Sequence, residues 1–201
     1  MVLTDAELLK GRDPVAVCRQ AVAGGQGATL IQVRDKTAAP RDLVALTRAL
    51  VAALPVPVIV NDRVDVALAA GAKGAHLGQD DVPLDVVRPH VPNGFLLGVS
   101  VGSPDEAARA APWGADYWRI GPCYATANKP DAGSALGPEG FERLARGAPL
   151  GMPVIGIGGI SAVNAQAIVR AGAVGVAVIG AVMGAADPEQ AARAIRAMIP
   201  G

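Results

Sequence analysis

"PVIGIGGISAVNAQAIVRAGAVGVAVIG", residues 153–180, contains one complete strand–turn–helix–strand unit. Residues 153–159 form a short β-rich run that ends in two glycines. Residues 161–171 then carry apolar side chains at helical spacing, and 174–180 return to a β-rich run. Ser161, after Gly158-Gly159, marks the expected helix start, and Gly172 its C-cap. Both runs are apolar throughout, which suits parallel strands covered by helices rather than strands with one wet face.

The same alternation fills the chain. "VLT", "ATLIQVR", "VPVIVN", "GAHLG", "FLLGVS" and "ADYWRI" precede the two runs above, making eight. Helical spacing recurs over 41–54 and over 104–112, where Pro104 follows Ser103 as a start signal, and Gly71 is a further expected C-cap. Eight strand–helix alternations predict an α/β fold, a single-domain (β/α)8 TIM barrel over residues 1–201, in preference to an open doubly wound sheet. No linker, low-complexity tract or charge block divides the chain.

Composition narrows the function. Half the residues are hydrophobic but only 3% are aromatic, so the core is built from Val, Ile, Leu and Ala. Eighteen basic residues balance eighteen acidic ones, which leaves no electrostatic footprint for nucleic acid. Residues 171–186 are apolar but glycine-rich and too short for a membrane span, and the first residues lack a secretory pattern. Small-molecule chemistry in the cytoplasm is the expectation. The chain starts directly at strand one, so no helix is expected to plug the bottom of the barrel. Cys18 and Cys123 form no C-x-x-C pair and read as packed thiols.

Barrel enzymes carry their sites at the C-terminal ends of the strands. Here those ends hold Gln32, Arg34 and Lys36 after strand two, and Asn61 and Asp62 after strand three. Asp80 and Asp81 follow strand four, Ser100 ends strand five, and a long loop with Thr126, Asn128 and Lys129 follows strand six. Gly158 and Gly159 follow strand seven, and Ile179-Gly180 follow strand eight. Backbone N–H groups at a glycine turn before a helix make an anion site. The same glycines equally serve a tight β-to-α turn, but the second glycine turn at Gly180 favours phosphate. Arg34 and Lys36, two apart on an extended strand, point the same way, and Lys129 can join them around a more highly charged anion such as a diphosphate. Asp62 and Asp81, on adjacent strands, suit Mg²⁺, which takes one or two carboxylates plus waters and phosphate oxygens; Asp80 fits in place of Asp81 on spacing alone. His76 and His90 have no serine or cysteine partner in the local sequence, so hydrolytic triad chemistry is unsupported.

In order, "IQVRDK", "VNDRVDVALAAGAKGAHLGQDD", "GVS", "ADYWRIGPCYATANKP", "IGIGGI" and "AGAVGVAVIGAV" resemble the thiamine-phosphate synthases over nearly the whole chain. The resemblance implies a transferase joining hydroxymethylpyrimidine diphosphate to a thiazole phosphate, carboxylated or plain, with release of pyrophosphate. It implies a dissociative, Mg²⁺-assisted mechanism in which diphosphate leaves a methylene cation that the thiazole nitrogen attacks. Gln32, Arg34, Lys36, Asn61 and Lys129 would hold the pyrimidine diphosphate, with Ser100 close by. Asp62 and Asp81 would hold Mg²⁺. Thr126 would contact the thiazole, and Gly158 and Ile179-Gly180 would bind its phosphate. A homodimer follows by analogy alone.

Several positions depart from the family. Asn128 replaces a hydroxyl in the strand-six loop, Gly102 replaces a histidine and Gly180 a serine. Arg119 stands where a small residue is usual; by the period of two, 117, 119 and 121 share a face, so Arg119 either reaches the barrel mouth or crowds the pyrimidine. These departures motivate a second reading, a non-catalytic binder of phosphorylated thiamine precursors. A thiazole tautomerase would carry a histidine at Pro122, and a phosphosugar isomerase would need a carboxylate beside "GIGGI".

Overall fold

The computed structural model describes residues 1–126 and 133–200. Eight parallel strands, β1 (Val2–Leu3), β2 (Ile31–Val33), β3 (Val58–Asn61), β4 (Gly74–Leu77), β5 (Leu96–Val101), β6 (Tyr117–Ile120), β7 (Val154–Ile157) and β8 (Gly175–Ala177), pair in sequence order. A parallel bridge between Val2 and Val178 brings the ends of the sheet together. Two hydrogen bonds secure it, Leu3 N–H to the Val178 carbonyl at 3.0 Å and Val178 N–H to the Met1 carbonyl at 3.1 Å. The result is the expected (β/α)8 barrel.

Helices fill the crossovers: α1 (Ala6–Leu9), α2 (Pro14–Val22), α3 (Pro40–Ala53), α4 (Val64–Ala70), α5 (Leu84–Val87), α6 (Pro104–Ala110), α7 (Gly137–Ala145), α8 (Ala165–Arg170), α9 (Gly180–Met183) and α10 (Pro188–Arg196). Their starts follow from local chemistry. Asp13 caps α2, with Pro14 at the first helical position, and Ser103 caps α6 by accepting the Glu106 N–H at 3.2 Å, each bond satisfying a donor the helix itself cannot. In α3 the buried residues are Leu43, Thr47 and Leu50, at spacings of four and three, which is the stripe a helix lays on a sheet. Gly71, at φ 71°, ends α4 as its C-cap. No helix among the described residues is long and apolar enough to cross a membrane.

Alternate strand residues face outward to the helices, among them Val58, Val60, Leu97, Val99, Trp118 and Ile120, all buried. Each fully buried Val, Leu or Ile side chain contributes about 1.5–3 kcal/mol. The other face is the barrel interior, and its middle is polar: Gln32, His76, Ser100, Tyr117 and Arg119 are joined by hydrogen bonds across four strands. Gly98 makes room for this layer, because a Cβ there would lie 2.1 Å from the Tyr117 ring.

Candidate active site

The strand C-termini open into a cavity of about 860 Å³. Arg34, Lys36, Asn61, Asp62, Asp81, Ser100, Thr126, Gly158, Gly159, Ile179 and Gly180 all line it. Gln32 does not: it is fully buried beneath Arg119. Asn128 and Lys129 lie outside the described residues.

Arg34 is held from two sides. Thr4 Oγ1 accepts the Arg34 N–H at 2.8 Å and donates to its carbonyl at 3.0 Å, while the guanidinium meets Asp5 at 3.3 Å. Both side chains of that ion pair are about 15% exposed (15% and 16%), so the strand end and its cation are fixed by the β1–α1 turn. Asp35 then accepts from the Thr37 and Ala38 N–H groups, and this turn presents Lys36 at the exposed rim.

Asp62 and Asp81 come together across β3 and β4. Asp62 has a left-handed backbone, φ 62°, which an aspartate tolerates better than most residues but at a cost; its N–H donates to the His76 carbonyl at 2.8 Å. Asp81 accepts the Gly78 N–H at 2.6 Å. Desolvation on the cavity wall, then the charge of Asp81 and a hydrogen bond shared with it, push the Asp62 carboxyl up to about 6, against the opposing pull of Arg119 and Lys36. Two carboxylates in this relation either share a proton or take a cation. Among the described residues no third acidic, histidine or cysteine ligand joins them, so the donor set fits Mg²⁺ completed by water and phosphate oxygens.

On the opposite side of the cavity, Gly158 and Gly159 adopt φ of 95° and 63°, and the β7 turn presses against the β6 loop. A Cβ on Gly158 would lie 2.7 Å from Pro122, and one on Gly159 2.5 Å from the Ala125 carbonyl. The two segments are tied by Cys123 N–H to Ile157 O at 2.7 Å and Tyr124 N–H to Gly158 O at 2.9 Å. The expected helix start at Ser161 is corrected by the structure. Asn164 accepts the Ser161 N–H and donates to the Gly159 carbonyl, closing a turn that delays α8 to Ala165. Exposed glycine backbone, rather than a helix end, is what this side offers a ligand. Gly180 opens the single turn of α9, next to Ile179.

Beneath lies the polar layer. His76 Nδ1 pairs with Tyr117 OH at 2.8 Å and Nε2 with Ser100 Oγ at 2.9 Å; burial and the Arg119 charge hold the imidazole neutral, well below its usual pKa. Arg119 reaches across the barrel, donating to Gln32 Oε1 at 2.7 Å and to Ser100 Oγ at 3.3 Å. Burial lowers its pKa only to about 10, so it stays charged at neutral pH. Glu106 also lines the cavity and escaped the sequence reading, and Gln79, from the strand-four end, lines it too. Glu106 accepts the Gly102 N–H at 2.6 Å, and Gln79 donates to the Ser100 carbonyl at 2.7 Å. The signal for Glu106 lay in its place one helical turn beyond the β5 end.

Fold and site define a (β/α)8 barrel with a polar cavity at the C-terminal ends of its strands. The family model for thiamine monophosphate synthase matches residues 1–182. A thiamine-phosphate synthase of Roseiflexus sp. (strain RS-1) is 48% identical, over 98% of this chain and 84% of its own. One from Chloroflexus aurantiacus is 45% identical, over 98% and 91%. The solved thiamine phosphate pyrophosphorylase of Pyrococcus furiosus superposes with a TM-score of 0.86 at 37% identity, over 98% and 93%. The chain belongs to the thiamine monophosphate synthase family and is a transferase of thiamine biosynthesis.

Proposed function

We propose that the protein condenses hydroxymethylpyrimidine diphosphate with a thiazole phosphate to give thiamine phosphate and pyrophosphate. The observation that carries this is the two-sidedness of one cavity. Arg34, Lys36 and the Asp62–Asp81 pair stand on the β2–β4 side, and the glycine turns of β7 and β8 face them. Such a site suits two phosphorylated molecules held face to face, with the reacting atoms between them.

In this reading the C–O bond to the diphosphate breaks with its electron pair leaving on the diphosphate oxygen. The thiazole nitrogen then forms the new C–N bond to the methylene carbon. Arg34 offers a fork, and Lys36 and Lys129 point charges, to the departing oxygens, where charge develops. Asp62 and Asp81 would hold Mg²⁺, which supplies further charge neutralisation on the diphosphate when bound. Asn61 lines the pyrimidine side with Gln32 below it. Ser100, its hydroxyl fixed between His76 and Arg119, is oriented toward the same substrate. Thr126 would contact the thiazole, Asn128 is assigned to substrate binding, and the N–H groups at Gly158, Gly159, Ile179 and Gly180 would bind the thiazole's phosphate. The cytoplasm and a homodimer complete the proposal, the latter checked by sedimentation.

Incubation with Mg²⁺ and both substrates is expected to yield thiamine phosphate and pyrophosphate in equal amounts. EDTA removes the activity. Lys36→Ala and Lys129→Ala each lower kcat by about 10²-fold, the usual effect of losing one group that stabilises transition-state charge. Binding of both ligands without product would instead leave a non-catalytic binder. Turnover of the thiazole phosphate alone would indicate a tautomerase, for which Pro122 supplies no acid or base.

A further inference from the structure

Tyr117, His76 and Ser100 form a chain of hydrogen-bonded side chains that runs from the barrel core to the cavity, and only Ser100 of the three lines that cavity. Register brings them into line. His76 of β4 pairs with Gly98 of β5, and Gly98 pairs with Tyr117 of β6, so the Tyr117 ring reaches His76 over a position that has no side chain. Ser100, two residues beyond Gly98, shares its face. Its backbone is held by Gln79, whose amide donates to the Ser100 carbonyl at 2.7 Å. What remains free is the direction of one hydroxyl proton.

Counting donors and acceptors fixes that direction. The His76 ring is fully buried and shares Ser100 Oγ with the Arg119 guanidinium; a second unpaired cation there is costly, so the ring carries a single N–H. Were that proton on Nδ1, it would be donated to the Tyr117 oxygen. The phenolic proton would then be buried without an acceptor, because His76 is the only hydrogen-bond partner of that hydroxyl among the described residues, and a buried orphan donor is strongly disfavoured. With the proton on Nε2, every donor of the chain is matched. Tyr117 O–H donates to Nδ1 at 2.8 Å, and Nε2–H donates to Ser100 Oγ at 2.9 Å. Arg119 donates to the same oxygen at 3.3 Å. Both lone pairs of Ser100 Oγ are then occupied, and the serine proton is left to point into the cavity.

We propose that Tyr117 and His76 are positioning residues that lock the Ser100 hydroxyl as a hydrogen-bond donor to the cavity. This rests on the synthase reading for the acceptor, an oxygen of the departing diphosphate. No proton moves along the chain; the serine stays a hydroxyl throughout. Without the lock, Ser100 turns its proton to His76 Nε2 and presents a lone pair, which repels the same oxygen. Negative charge on that oxygen grows as the C–O bond breaks, so the lock is worth more in the transition state than in the bound substrate and is read in kcat more than in KM.

The test begins with the unaltered protein and no substrate. The chain has two histidines, so long-range proton–nitrogen correlation spectra of the labelled imidazoles, with His90→Gln to assign the exposed ring, read which His76 nitrogen is protonated. Nε2–H is expected; a proton on Nδ1, or on both nitrogens, overturns the proposal. Tyr117→Phe is expected to move the His76 signals towards those of mixed tautomers. It also lowers kcat for the condensation by about threefold or more, the low end of coupling within a hydrogen-bond network, with the KM for the thiazole phosphate unchanged. In a Ser100→Ala background the same substitution has no further effect on kcat. An equal fold-loss in both backgrounds would give Tyr117 a purely structural role and overturn the proposal. Absent turnover would overturn the synthase reading, while the spectra still decide the lock; a proton on Nδ1 in an active enzyme would overturn the lock alone.

Discussion

Asp62 is a residue whose folded environment works against its charge. Its carboxyl moves from the ordinary 3.8 to about 6, through desolvation first and Asp81 second. Between those values the folded state holds a proton that the unfolded chain has released, so stability falls as pH rises from about 4 to 6. Since Asp62 is open to solvent in the cavity, screening reduces the penalty to about 1 kcal/mol. Thermal unfolding between pH 4 and 8 is expected to show this slope for the unaltered protein, and Asp62→Asn flattens it. If the pair holds Mg²⁺ as proposed, added Mg²⁺ is expected to reverse the trend, raising Tm more at pH 8 than at pH 5. Identical slopes with and without the Asp62 carboxyl would remove the pair as the source. Much at this scale was legible beforehand: polar residues at strand ends could be listed because the barrel puts them at one mouth. That Arg119 bonds to Gln32 was not, since 87 positions separate them and only barrel closure makes them neighbours.

Among the elements, β5 is the one whose sequence is most tightly constrained. A methyl group on Gly98 would strike the Tyr117 ring, and moving that ring breaks the bond to His76 and, through it, the placement of Ser100. Gly98→Ala is expected to destabilise by about 3 kcal/mol, the range of overpacking combined with a broken buried hydrogen bond. Ser103→Ala, which removes only the cap of α6, is expected to cost about 1 kcal/mol. Urea unfolding of the two variants separates the cases, and equal losses would mean that the ring relaxes freely. Strands and long helices were readable because apolar period and end signals coincide, as in α3, whose range Pro40–Ala53 lies one residue from the expected 41–54. The start of α8 was misplaced for a physical reason. Ser161 has a good capping side chain, but Asn164 closes a local turn through its side chain, accepting the Ser161 N–H and donating to the Gly159 carbonyl, and regular helix starts only after it, a local side-chain-to-backbone arrangement that helical spacing does not register. The single-turn helices α1, α5 and α9 carry too few residues to display a period.

The whole molecule assembles its site only on closure. Groups from β2 through β8 border one cavity, so no fragment of the sheet presents both the cation side and the glycine side. A ligand that needs both metal and cations therefore binds the closed barrel and not the unfolded chain, and its binding energy becomes stability. Pyrophosphate with Mg²⁺ at about a hundred times its Kd is expected to add about 2.7 kcal/mol. For a chain of this length that raises Tm by roughly 5–10 °C. Either ligand alone gives much less, because the carboxylate pair without the metal repels the anion that Arg34 and Lys36 attract. Replacing both Asp62 and Asp81 by asparagine separates the contributions: the synergy with Mg²⁺ disappears while a small, salt-sensitive response to pyrophosphate persists through the cations. A synergistic shift that survived in the double variant would place the metal away from Asp62 and Asp81, and the two-sided arrangement of the cavity would then need a different source of charge neutralisation.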